Sequence, residues 1–273
     1  MKNLVLRTVT GILFVAAVVA SILLYDKTII PFFVLMMCVS VIGTFEFLKM
    51  TGITSSIIPT IYALVAVVTV TAIPLVGSWG SVVIPSVLLL FFPILSVIAL
   101  FQKNDGSRSP LRTLSLCLVP LFWIALPVML LLHLMESVSP SFVLALFIII
   151  WLDDTLAYCA GSLFGRHKLC ERISPKKTVE GFVIAFVLTV AASAALGRIG
   201  YFADLRWNEW VGFAIVTVLF GTLGDLVESM IKRTCGVKDS GNILPGHGGI
   251  LDRFDSVLMA VPASLVYLLV FEF

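Results

Sequence analysis

Apolar runs of about twenty residues recur along the chain, each broken by a short cluster of charge. A helix of about 20 residues crosses a hydrocarbon core of about 30 Å, and within lipid every backbone amide must find its partner inside the helix. The runs predict spans at 8–25, 29–48, 57–76, 81–101, 114–134, 141–161, 179–197, 211–229 and 256–271. The stretch from Ile57 to Phe101 is divided in two because a single helix of that length does not fit a membrane. Its interruption falls around Pro74, Gly77, Ser78, Gly80 and Pro85. The runs lack the short polar-in, apolar-out alternation of a barrel. The expected fold is therefore an all-α polytopic membrane protein of about nine helices. Composition agrees: 60% of the 273 residues are hydrophobic and 12% charged, against about 25% charged in a soluble domain. That excludes an ordinary soluble domain, a disordered chain and a disulfide scaffold.

The basic residues supply an independent check. With nine spans and the N-terminus inside, the cytoplasmic segments hold Lys2, Arg7, Lys49, Lys103, Arg108, Arg112, Arg166, Lys168, Arg172, Lys176, Lys177, Lys232, Arg233, Lys238 and Arg253. The opposite side holds Lys27, Arg198 and Arg206. Cytoplasmic enrichment in Lys and Arg predicts this orientation. It puts the C-terminal Phe271-Glu272-Phe273 outside. The expected location is a multi-pass protein of the inner (cytoplasmic) membrane. The start resembles a signal peptide but lacks a convincing cleavage site, so a retained first helix is expected. No long basic stripe is available to a phosphate backbone, so nucleic acid is not expected as a partner. The five scattered cysteines, Cys38, Cys117, Cys159, Cys170 and Cys235, read as small buried hydrophobes.

Polar chemistry is unevenly placed. Residues 1–135 read as a transmembrane scaffold of about five helices and 136–273 as a catalytic region with cytoplasmic polar loops. Within the scaffold Glu46 stands out near the inner end of span two. It either snorkels to the interface or faces a polar cavity. In span six the apolar Phe147–Leu152 run meets Asp153-Asp154. Asp154, Ala157, Tyr158 and Gly161 share a helix face by their spacing. A carboxylate in hydrocarbon costs several kcal/mol, so the pair suggests a polar site, unless it marks a helix end at headgroup level. In Ser174-Pro175-Lys176-Lys177-Thr178, Ser174 fits an N-cap and Pro175 the first helical position. Two lysines at a helix N-terminus suit a phosphate; capping plus ordinary inner-face charge is the equal alternative.

The densest cluster runs from Gly221 to Asp255. Asp225, Glu228, Ser229, Lys232 and Arg233 have the spacing of one helix face. A glycine-rich loop follows, with Pro245-Gly246-His247-Gly248-Gly249, and then Asp252 and Asp255 three apart. Oxygen ligands beside phosphate-binding cations are what Mg²⁺-assisted phosphoryl or nucleotidyl transfer requires. His247 has the chemistry to ligate, transfer a proton, bind phosphate or cap a turn. Zinc is disfavoured because His133 and His167 lie elsewhere and no cysteine pair assists. Neither a Walker loop nor a G-x-G-x-x-G fingerprint is present.

At these residues the chain resembles the phosphatidate cytidylyltransferases, or CDP-diacylglycerol synthases. The resemblance rests on Ser229, Lys232-Arg233, Lys238-Asp239, Pro245-Gly246-His247-Gly248-Gly249, Asp252-Arg253 and Asp255. Upstream it rests on Asp154-Thr155 with Ala157-Tyr158, and on Ser174–Thr178 with Glu180-Gly181. Val179 stands where the family often has Trp. The resemblance implies the reaction CTP + phosphatidate to CDP-diacylglycerol + pyrophosphate, in phospholipid synthesis. It implies Mg²⁺, with K⁺ as a candidate second ion, and membrane lipid as a partner; a homodimer is a candidate only because dimers are common among proteins. It implies Asp225 and Asp252 as metal ligands, with Asp239 and Asp255 orienting the centre or binding a second ion. Lys232, Arg233, Lys238 and Arg253 would hold substrate phosphates, assisted by Ser229. Lys176, Lys177, Thr178, Asp154, Tyr158 and His247 complete the implied substrate-binding set. A CTP-dependent kinase of polyprenols or other lipid alcohols is the nearest alternative, and an ion-coupled transporter the next.

Overall fold

The computed structural model describes residues 2–75, 80–100, 109–199, 202 and 205–271. Of the residues named above, Gly77, Ser78, Phe101, Lys103, Arg108, Glu272 and Phe273 lie outside the described set. The helices are α1 (Lys2–Leu23), α2 (Ile30–Met50), α3 (Ile57–Thr71), α4 (Gly80–Leu100), α5 (Pro110–Pro120), α6 (Leu126–Ser137), α7 (Pro140–Phe164), α8 (Val179–Ser193), α9 (Trp207–Thr234) and α10 (Leu251–Val270). A π-helical segment, Leu121–Ala125, joins α5 to α6, so Pro110–Ser137 forms one long rod. Pro120 stands immediately before it, and a proline that cannot donate is a common cause of such a break.

Among the described residues six helical segments are long and apolar enough to cross a membrane: 30–50, 110–137, 140–164, 179–198, 207–234 and 251–270. Apolar segments at 8–23, 57–71 and 89–99 are shorter. Each expected span thus meets a helix, while the length criterion is satisfied by six of them.

Ser-Pro dipeptides set two of the helix starts. Ser109 Oγ accepts from Arg112 N at 3.2 Å, with Pro110 next in α5. Ser139 Oγ accepts from Ser141 N at 3.2 Å, with Pro140 opening α7. The third such dipeptide behaves differently, and here the sequence expectation is corrected. Ser174–Thr178 is a strand, β2, paired antiparallel with β1 (Lys168–Cys170). Cys170 faces Ser174 and Lys168 faces Thr178. Helix α8 starts at Val179, capped by Thr178, whose Oγ1 accepts from Gly181 N at 3.2 Å. Pro175 lacks an N–H, which a two-stranded hairpin tolerates at an edge. The apolar run begins only after Lys176 and Lys177, so helix formation gains nothing by starting earlier. Glu180 then closes the hairpin, accepting from Arg166 N at 3.0 Å, His167 N at 3.1 Å and His167 Nδ1 at 2.5 Å.

The cysteine expectation also needs correction. Of the five free thiols only Cys117 is buried, and Cys38 and Cys159 are exposed. Outward apolar faces are ordinary for a helix that meets lipid.

The chain divides into two compact units: 1–133 with 239–254, and 134–238 with 255–273. In the first, Ala66, Val67, Val70 and Ile73 of the α3 region pack against Leu121, Ala125 and Met129. In the second, Trp210 is fully buried among Phe142, Phe202 and Phe213, and its Nε1 donates to Phe202 O at 3.0 Å. Helix α7 packs closely along α8. Gly161 and Gly181 meet at that crossing, where small residues let membrane helices approach.

Candidate active site

In the second unit a cavity of about 180 Å³, with charged side chains set among apolar ones, opens between α7, the hairpin, α8 and α9. Asp153, Asp154, Ala157 and Tyr158 of α7 form one wall. Lys176, Lys177 and Thr178 of β2 form another, with Phe182 and Thr222 completing it. The strand register explains the lysine placement: the hairpin is tied to α8 by the Thr178 cap, so its last strand is carried along the side of α7. Asp153 is buried, whereas Asp154 and Tyr158 are exposed. Asp154, Ala157 and Tyr158 therefore do share a face, as their spacing predicts. Asp153 also lines the cavity, although it is one residue out of that phase.

Lys177 forms an ion pair with Asp225 Oδ2, and Ser229 Oγ donates to Asp225 Oδ1 at 3.2 Å. One turn on, Lys232 pairs with Glu228, both buried. These i, i+4 pairs on α9 fit the polar face read from the sequence. Glu228, read from the sequence only as part of that face, gains a specific role as the buried partner of Lys232. Asp255, half-buried at the start of α10, accepts from Ser256 N at 2.7 Å. It lies within electrostatic range of Asp225, Glu228 and Asp154. Arg233 is turned elsewhere. Its Nε donates to Ile173 O at 3.3 Å and its Nη1 to Val237 O at 2.9 Å, tying the hairpin turn to the end of α9. Lys238 is exposed.

The glycine-rich loop belongs to the first unit. A tight turn runs from Leu244 to Gly248, with Leu244 N donating to Gly248 O at 3.0 Å and His247 N to Leu244 O at 2.9 Å. Gly246 and Gly248 have φ of 77° and 81°, a region that disfavours other residues. His247 Nδ1 lies 2.7 Å from Thr10 Oγ1. Asp252 Oδ2 accepts from Ser240 N at 2.9 Å and from Gly249 N at 2.8 Å. Asp239 and Arg253 are exposed. Asp225 and Asp252 thus fall in different compact units.

The donors suit a hard divalent cation: they are carboxylate oxygens, and Asp225 already carries a cationic ammonium on one of them. Among the described residues no group of three or more His, Cys, Asp or Glu side chains is assembled for a metal.

The chain matches the sequence profile of the Cytidylyltransferase family over residues 5–271. A phosphatidate cytidylyltransferase of Staphylococcus aureus (strain COL) is 37% identical over 227 residues, covering 82% of this chain and 84% of its own. Those of Staphylococcus haemolyticus and Staphylococcus epidermidis are 34% and 35% identical, each covering 96% of this chain and 98% of its own. The match runs through the scaffold, the hairpin and the glycine loop alike, and on it the chain belongs to the phosphatidate cytidylyltransferase, or CDP-diacylglycerol synthase, family.

Proposed function

We propose that the chain transfers the cytidylyl group of CTP to phosphatidate, giving CDP-diacylglycerol and pyrophosphate for phospholipid synthesis. One observation carries the reading at the level of the site: a cavity beside membrane-length helices that brings Lys176 and Lys177 together with Asp153, Asp154 and the Lys177–Asp225 pair. An anionic lipid and an anionic nucleotide both need cations, and the lysines of the strand that leads into α8 offer them to each.

The chemistry asks little of a nucleophile-activating group. The phosphate of phosphatidate is ionised, and one of its oxygens forms the new bond to the α-phosphorus of CTP. The bond from that phosphorus to the bridging oxygen breaks, and pyrophosphate leaves with the electron pair. Bringing two anions together and holding the charge of the five-coordinate transition state is the main task. Lys176 and Lys177 neutralise substrate phosphate, Thr178 and Tyr158 orient it, and Lys238, Arg253 and His247 add further donors. Asp225 and Asp252 would hold Mg²⁺, with Asp239 and Asp255 in support; when bound, the ion would neutralise phosphate charge. Lys232 and Arg233 act in this scheme through Glu228 and the hairpin turn. The site faces the cytoplasm, the side on which fifteen of the eighteen Lys and Arg are expected.

Product analysis tests this. The detergent-purified protein is given CTP, Mg²⁺ and short-chain phosphatidate. Equimolar CDP-diacylglycerol and pyrophosphate, lost with EDTA, is the expected result. Release of CDP would favour a lipid kinase, and no product from folded protein would overturn the reading.

A further inference from the structure

Glu46 is 3% exposed on α2, and a carboxylate so buried needs donors for its oxygens. Among the described residues its hydrogen-bond donors come from one distant loop. Oε1 accepts from Ile250 N at 3.1 Å. Oε2 accepts from Leu251 N at 3.0 Å and from Ser240 Oγ at 3.1 Å. The two amides belong to the entry of α10, where no helical carbonyl can satisfy them and where negative charge is favoured. Glu46 thus caps a helix about two hundred residues away in sequence and grips both ends of the glycine loop.

The loop is shaped around this carboxylate. A Cβ on Gly241 would fall on Glu46 Oε1, and one on Gly249 would fall on Ser240 Oγ and Glu46 Oε2. Neither glycine has the positive φ of Gly246 and Gly248; close approach of Glu46 is what excludes a side chain there. Ser240 and Gly249 are also the residues whose amides hold Asp252 Oδ2. Two carboxylates therefore share one frame: Glu46 takes the Ser240 hydroxyl and the next two amides after Gly249, while Asp252 takes the Ser240 and Gly249 amides.

We propose that Glu46 is a positioning residue for the reaction, holding the loop from Asp239 to Asp252 so that the Asp252 carboxylate and His247 are presented in one geometry. Its bearing on catalysis rests on the function proposed above, whereas its grip on the loop does not. Glu46→Gln keeps the size but turns one acceptor into a donor that faces a donor. Ser240→Ala removes a single bond. Ser40→Ala, on the same helix as Glu46, breaks the buried 3.0 Å bond that Thr71 of α3 donates to Ser40 and is the control for plain loss of stability.

Hydrogen exchange read by mass spectrometry over residues 239–251 is measured with kcat and KM. In Glu46→Gln the Ile250 and Leu251 amides should exchange about tenfold faster or more, with Ser240→Ala intermediate. kcat should fall ~10- to 100-fold, with KM for CTP moving less than about twofold. Ser40→Ala should leave loop exchange and kcat near wild type even where its unfolding midpoint falls as far. Unchanged exchange in Glu46→Gln would overturn the proposal. So would Ser40→Ala reproducing both losses at equal stability. If wild type makes no CDP-diacylglycerol, the functional reading fails while the exchange result still decides the grip of Glu46 on the loop.

Discussion

Replacing Gly181 with alanine should damage both stability and activity, because the site depends on how closely α8 approaches α7. A Cβ there would lie 2.8 Å from Thr178 Oγ1, 2.9 Å from Ala157 O and 2.9 Å from Gly161 Cα. Two of these are backbone atoms of α7 and cannot rotate away. Ordinary contact begins near 3.4 Å, so the shortfall is about 0.5 Å. Either the helices part by that much, or the chain bends and the Thr178 cap on Gly181 N is lost. Overpacking of this kind costs about 1–3 kcal/mol and a lost cap about 1 kcal/mol. The two share one distortion, so about 2–3 kcal/mol is expected in total. The unfolding midpoint in detergent, followed by tryptophan fluorescence, should fall by several degrees. Activity should fall about tenfold, since α7 carries Asp153, Asp154 and Tyr158 while the α8 side carries Lys176–Thr178. Gly43→Ala is the matched control: its Cβ would meet only Ile124 and Leu251 side chains, at 3.8 Å or beyond. Wild-type midpoint and turnover in Gly181→Ala, or equal damage in Gly43→Ala, would refute the reasoning.

Two further outcomes follow from the same geometry. Lys177→Met should lower kcat/KM for CDP-diacylglycerol formation by roughly 100-fold, about 3 kcal/mol, by removing a charged donor from the cavity; steady-state kinetics with unchanged elution in detergent checks it. Asp252→Asn keeps an oxygen for the Ser240 and Gly249 amides but loses the charge. It should therefore fold with a near-wild-type midpoint and make no detectable product, and turnover by this variant would remove Asp252 from the proposed metal centre.

Much of the fold was legible because lipid imposes one dominant rule. The long apolar runs had to be helices, and each expected span meets one. What failed was local. Ser174-Pro175 carries the same start signal as Ser109-Pro110 and Ser139-Pro140, yet it opens a strand. The difference lies in pairing with Lys168–Cys170, a tertiary fact that a local signal does not contain. The i, i+4 relations on α9 were readable from spacing, as Asp225 with Ser229 and Glu228 with Lys232 illustrate. Which partner each cation takes was not: Arg233 goes to backbone carbonyls, not to the cavity wall. Glu46 was visible as an anomaly in an apolar helix. Its role was not, because its donors lie at Ser240, Ile250 and Leu251, far along the chain.

The ion pair between Lys177 and Asp225 means that this lysine already has a counterion before any substrate arrives. An arriving phosphate that takes Lys177 does so by exchange, leaving a carboxylate to find another counterion. Affinity then reports a difference between two pairings instead of the full strength of one. Such a site discriminates among anions by how well each outcompetes a carboxylate, so carboxylate-bearing lipids gain little there while a dianionic phosphate gains most.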